Sequence, residues 1–211
     1  MRTVELTGEI SLKKAVVVTA KLRKFHEKDS CAPICLQINS TGGETGSAAL
    51  IITCMKDLGR DLHIITHGCG QISSAAVSVF VQGYRRLIEY DAVMLFHRTH
   101  VDEDYRSFTT LNTHEAARLA RAYAKLSIDL KKADLEDVKN TLRKRPGHLY
   151  ASTITPRELL QMIDDAPTAS DLILDGNQVY EYGLADHLLK DSTEALAIIE
   201  NLPRKRRRRR R

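Results

Sequence analysis

Residues 34–81 read ICLQINSTGGETGSAALIITCMKDLGRDLHIITHGCGQISSAAVSVFV, and this stretch holds two strand-then-helix passages in succession. Ile34-Cys35-Leu36-Gln37-Ile38 is a compact apolar strand, broken by Asn39-Ser40-Thr41-Gly42-Gly43, after which Thr45 to Leu58 carries apolar residues at helical spacing. The pattern then recurs, with Leu62 to Thr66 as strand, His67-Gly68-Cys69-Gly70-Gln71 as loop and Ser74 to Val81 as a short helix of small residues. Upstream, Val4-Glu5-Leu6 makes a strand that ends at Gly8, and Leu12 to Phe25 is helical in period on a basic background. Three βα units in a row predict an α/β fold with a parallel sheet.

Downstream, Arg86-Leu87-Ile88 and Val93-Met94-Leu95-Phe96 read as strands, and about Thr113 to Arg143 is a long helix-prone stretch rich in Ala, Leu and Lys. Thr155-Pro156-Arg157-Glu158 has the look of an N-cap with proline at the first helical position, opening a helix through Ile163. Leu172-Ile173-Leu174 and Gln178 to Tyr182 follow as strand and helix.

A chain of 211 residues, 43% hydrophobic, buries one substantial core, so one domain is expected. No run of about 18 apolar residues occurs and no apolar secretory segment opens the chain, so a cytoplasmic protein without a membrane span is expected. Cys31, Cys35, Cys54 and Cys69 form no CxxC pair and are too few for a disulfide framework, which predicts reduced, mostly buried thiols. The formal charge of +5 conceals an uneven distribution: Arg204, Lys205 and Arg206 to Arg211 supply +8, leaving −3 for residues 1 to 203. Such a run of like charges repels itself and buries nothing apolar, so it is expected as a solvated, disordered tail rather than a specific nucleic-acid arm.

A serine hydroxyl near neutral pH needs a base to take its proton and donors to hold the developing oxyanion. Ser74 follows Gly68-Cys69-Gly70-Gln71-Ile72-Ser73 and precedes Ala75-Ala76, at a helix start where free N–H groups favour negative charge. Serine at a helix start is more often a plain N-cap, and on that criterion alone Ser74 would be read as one. Gly42 and Gly43 also close a parallel strand, and loops at the carboxyl ends of such strands face one crevice, where their N–H groups would be exposed. They lack the lysine and spacing of a phosphate-binding loop, which argues against a nucleotide site. His97 comes directly after Val93 to Phe96, so a strand delivers an imidazole to the sheet end. The other histidines, His26, His63, His67, His100, His114, His148 and His187, read as structural. A metal grouping of His63, His67 and Cys69 matches no familiar tetrahedral spacing and is discounted.

Taken together these segments resemble the proteolytic subunit of the Clp protease, from about Val4 to Leu189. Leu6-Thr7-Gly8-Glu9-Ile10 resembles the family's first strand and turn, and Ile38-Asn39-Ser40-Thr41-Gly42-Gly43 its INSPGG segment with Thr41 in place of proline. Gly70-Gln71-Ile72-Ser73-Ser74-Ala75 resembles the GQAASM nucleophile segment, and Val93 to His97 the VMIH segment with one additional apolar residue. Asp171-Leu172-Ile173-Leu174 with Val179-Tyr180-Glu181-Tyr182-Gly183-Leu184-Ala185-Asp186 resembles the family's acid-bearing strand and the helix exit after it.

The resemblance implies a spiral of βα units with a handle-type helix, one peptidase domain over residues 1–190, and a helix end with an Arg-rich tail over 191–211. It implies serine endopeptidase chemistry without metal or organic cofactor: Ser74 as nucleophile, His97 as base, Asp171 as the third member, and an oxyanion hole from the N–H groups of Gly42 or Gly43 with Ala75. It also implies a homo-oligomeric ring, peptide or unfolded-protein substrates bound as an added strand, and a Clp-type ATPase partner. Against dependence on that ATPase, the sequence starts almost at the first strand, without the family's N-terminal axial segment. The stretch from Ser127 to Ala166 is longer than the family's and is interrupted by Lys144-Arg145-Pro146-Gly147, so an altered handle is expected. Two rival readings share the architecture: an acyl-CoA enzyme of the crotonase type, which holds a thioester oxyanion without a triad, and a catalytically silent ring subunit.

Overall fold

The computed structural model describes residues 2–59, 62–97, 153–166 and 171–202. Strand β1 (Thr3–Ile10) leads to helix α1 (Leu12–Lys28), which starts where the Ser11 side chain accepts the Lys14 N–H. Helix α1 buries Ala15, Val18, Thr19 and Leu22, the i, i+3, i+4, i+7 stripe of a helix lying on a core. Next come β2 (Ile34–Gly43), α2 (Thr45–Leu58), β3 (Ile64–Ser73) and α3 (Ala75–Phe80). Two short strands follow, β4 (Arg86–Glu89) and β5 (Val93–Phe96). The remaining described elements are α4 (Pro156–Asp164), β6 (Leu172–Asp175), α5 (Gly176–Glu181), β7 (His187–Leu189) and α6 (Ser192–Glu200). As the sequence predicts, α4 opens with proline at its start behind Thr155, in a full capping box with Glu158.

The strands form one seven-stranded sheet in the order β1-β2-β3-β4-β7, parallel throughout this path. Strand β3 serves two neighbours in turn: Thr66 to Gly68 pair with β4, and Gln71 to Ser73 pair with β5. Strand β6 runs antiparallel to β5 at the far edge. One face packs under α1, α2 and α3, with Leu6, Leu36, Ile38, Ile51, Ile72 and Phe80 wholly buried between them. On the other face Cys35, Ile65, Leu87 and Leu189 meet Ala195 and Ile199 of α6.

Two segments expected as loops are strand. Asn39 to Gly43 belongs to β2 and His67 to Gln71 to β3, so both strands run ten residues. The glycines that suggested loops instead serve irregularities in the ladders: the register shifts between Thr7 and Glu9 and between Ile38 and Ser40, and Gly8, Gly42 and Gly70 all take positive φ. The α/β class and the mostly parallel sheet agree with expectation. The long helix expected over 113–143 and the Arg-rich tail lie outside the described residues. Among the described residues no helix is long and apolar enough to cross a membrane.

Candidate active site

Because β2, β3 and β5 are parallel, their carboxyl ends meet at one edge of the sheet, and antiparallel β6 brings its amino end to the same edge. Strand β3 ends at Ser73, and the chain reverses into α3 through Ser74, the one non-glycine among the described residues with positive φ (φ 54, ψ −127). These angles are those of the first central residue of a type II′ turn, a glycine position, so serine is strained there. Its N–H donates to the Leu95 carbonyl at 3.0 Å and its carbonyl accepts the Val77 N–H at 2.9 Å. The side chain makes no capping hydrogen bond, which removes the ordinary reason for serine at a helix start. Ser73, by contrast, is buried and its hydroxyl accepts a hydrogen bond from the Gln71 side-chain amide at 2.9 Å, whereas Ser74 is partly open.

Gly42 lies directly against this turn. A Cβ at position 42 would stand 2.5 Å from the Ser73 carbonyl oxygen, 2.7 Å from the Ser74 Cβ and 3.1 Å from the Ala75 nitrogen, and φ is +85 there. The backbone of β2 therefore passes within touching distance of the nucleophile candidate and of the first N–H of α3. The Gly42 N–H donates to Ser40 Oγ at 3.1 Å, so it is not directed at a ligand. Gly43, at φ +144, packs its Cα side against the backbone of Ile10.

His97 is the residue after β5 and is partly buried. Ser73 pairs with Leu95, so His97 leaves β5 beside the point where Ser74 leaves β3. Phe96 stands opposite Leu172 at the end of the β5–β6 ladder, so His97, which follows β5, and Asp171, which precedes β6, flank the same end of the two strands. Ser74, His97 and Asp171 thus stem from three neighbouring strands at one sheet edge. Asp175, at the other end of β6, accepts the Gln178 N–H at 2.9 Å as the cap of α5.

The model of the Clp protease family matches residues 1–102. Over those residues the chain is similar to the Clp protease family. No curated protein matches the chain. The Clp protease match runs from β1 through β5 and takes in Gly42, Gly43, Ser74, Ala75 and His97. The match covers 102 of the chain's 211 residues.

Within this Clp protease framework the other polar residues of interest have structural partners. His63 stacks on Tyr84 with ring centroids 3.8 Å apart, and His67 Nε2 lies 2.9 Å from Glu89 Oε1, which also accepts the Ser192 hydroxyl. Burial pushes the Cys35 thiol up to about 12 and raises those of Cys54 and Cys69, so all three stay protonated thiols. Sequence reasoning missed two arrangements. One is the buried pair of Arg86 and Asp186, in which Nε and a terminal guanidinium nitrogen donate to the carboxylate at 3.2 Å each. The other is Ser40, wholly buried at the centre of the β1–β2 irregularity, which the loop assignment for Asn39 to Gly43 concealed.

Proposed function

We propose that the chain is a serine endopeptidase that cleaves peptides or unfolded protein through Ser74, His97 and Asp171. The observation that carries this reading is the conformation of Ser74: a strained strand-to-helix turn, a hydroxyl with no capping duty, and a glycine backbone pressed against it. Strain of this kind persists only where the surrounding structure enforces it, and the usual reason is chemistry.

In the proposed reaction Ser74 Oγ attacks the scissile carbonyl carbon while His97 removes its proton. His97 then protonates the departing amine nitrogen, leaving an ester on Ser74. Water, deprotonated by His97, attacks that ester and releases the acid product with Ser74 restored. Asp171 orients the imidazole and offsets its positive charge. The oxyanion is held by the N–H groups of Ala75 and Gly43, since that of Gly42 already has an acceptor. Each such donor lowers the barrier by roughly 3 kcal/mol. Copies of the chain assemble as a ring.

A fluorophosphonate probe followed by peptide mapping of the full-length protein tests the reading. Label is expected on Ser74, lost in His97→Ala and much slowed in Asp171→Ala. A folded oligomer that takes no label at Ser74 overturns the peptidase assignment, and tight binding of a CoA thioester in its place would point to crotonase-type chemistry. Undiminished labelling of Asp171→Ala would remove Asp171 from the triad and leave the other two.

A further inference from the structure

Strands β1 and β2 fall out of step at one level: Thr7 pairs with Asn39, but Glu9 pairs with Gly42, so β2 spends one more residue there than β1. Gly8 and Gly42 both take positive φ at this level, at +69 and +85. A register shift of this kind takes backbone groups out of the ladder and leaves them to find other partners. Ser40 meets that need from within. Its hydroxyl, 1% exposed, donates to the Gly8 carbonyl at 2.6 Å and accepts the Gly42 N–H at 3.1 Å. One oxygen atom therefore bridges β1 to the residue that touches Ser73, Ser74 and Ala75.

We propose that Ser40 is a positioning residue for the oxyanion hole, an inference that rests on the peptidase reading above. It touches neither nucleophile nor substrate. Its hydroxyl holds Gly42 in the left-handed conformation, and this sets where the next N–H, that of Gly43, stands relative to the N–H of Ala75. Two donors act on one developing oxyanion only when both lie about 2.7–3.1 Å from it, so the gap between β2 and the start of α3 must be held closely. With alanine at position 40 the Gly42 N–H and the Gly8 carbonyl lose their shared partner in a buried space, and Gly42 is released to relax away from Ser74. A displacement of about 1 Å at such a site costs on the order of 100-fold in rate.

The test compares Ser40→Ala with wild type and with Thr19→Ala, a buried hydroxyl deletion on α1 remote from the site. Three quantities are read on the full chain: thermal stability, the rate of Ser74 labelling by a fluorophosphonate, and kcat and KM on a short fluorogenic peptide amide. The expected result is a fall of roughly 10- to 100-fold in labelling rate and in kcat with KM little changed, whereas Thr19→Ala loses stability and keeps both rates. Ser40→Thr, which keeps the hydroxyl, recovers most of the rate. If folded Ser40→Ala labels and turns over within about threefold of wild type, the proposal is overturned. Should Ser40→Ala fail to fold, Ser40→Cys, of nearly the same shape with a weaker hydrogen-bonding atom, is read against the same thresholds. Failure of wild-type Ser74 to label defeats the peptidase reading itself, a result distinct from equal labelling of wild type and Ser40→Ala.

Discussion

A methyl group added at position 42 would have nowhere to go. It would meet the Ser73 carbonyl, the Ser74 Cβ and the Ala75 nitrogen at once, on a backbone whose φ of +85 already resists an L side chain. On the proposed peptidase reading, Gly42→Ala is therefore expected to lower peptide hydrolysis by roughly 100-fold or more, with far-UV circular dichroism retained, because the clash is concentrated on the turn at Ser74. Activity close to wild type would show that the contact between β2 and α3 is unimportant. The sequence made Gly42, Gly43, Ser74, Ala75 and His97 legible as candidates through their places after strands and at a helix start. It could not make legible that Gly42 donates inward to Ser40, because nothing local distinguishes a serine that plugs a register shift from one in a loop.

Among the elements, β3, β4 and α6 are joined through Glu89, which lies against His67 and accepts from Ser192 at the first turn of α6. Burial holds the His67 imidazole below its ordinary pKa despite the opposing pull of Glu89, and burial lowers His187 as well. A histidine depressed in the folded state gives stability that is complete above its unfolded value of about 6.5 and is lost as pH falls below it, because the unfolded chain binds the proton first. The melting temperature is expected to drop as buffers are taken from neutral pH to below about 6, with a shallower drop in His67→Gln. Equal slopes for the two proteins would assign the acid sensitivity elsewhere. Element types were readable here from period alone, but strand ends were not: glycine-rich, histidine-containing runs such as His67 to Gln71 look like loops until a neighbouring strand supplies their hydrogen bonds.

At the scale of the molecule, Arg86 and Asp186 tie β4 to the segment that enters β7, a hundred residues further along the chain. The pair is almost fully enclosed and is reinforced by the Arg86 N–H to the carboxylate and the Asp186 N–H to the Arg86 carbonyl. Removing one partner strands a buried charge, so Asp186→Ala is expected to lower unfolding free energy by about 3–5 kcal/mol in urea titrations. The double replacement Arg86→Met with Asp186→Leu should lose distinctly less, since it leaves no charge behind; equal losses would mean that packing, not charge, governs the site. The parallel sheet was foreseeable because successive βα units build one by right-handed crossovers. The division of β3 between β4 and β5 was not, since a strand's choice of neighbours depends on what packs above and below it rather than on its own letters.

The turn at Ser74 also bears on what this sequence is optimised for. A backbone at φ 54, ψ −127 suits glycine, so a chain selected for durability alone would carry glycine at that point. Serine there opposes the fold that contains it, and the surrounding contacts from Leu95, Val77 and Gly42 must overcome that opposition. On the proposed reading, position 74 is thus a place where thermal robustness and reactivity draw on opposite residues, and attempts to harden this protein by relieving backbone strain would begin by removing its proposed nucleophile.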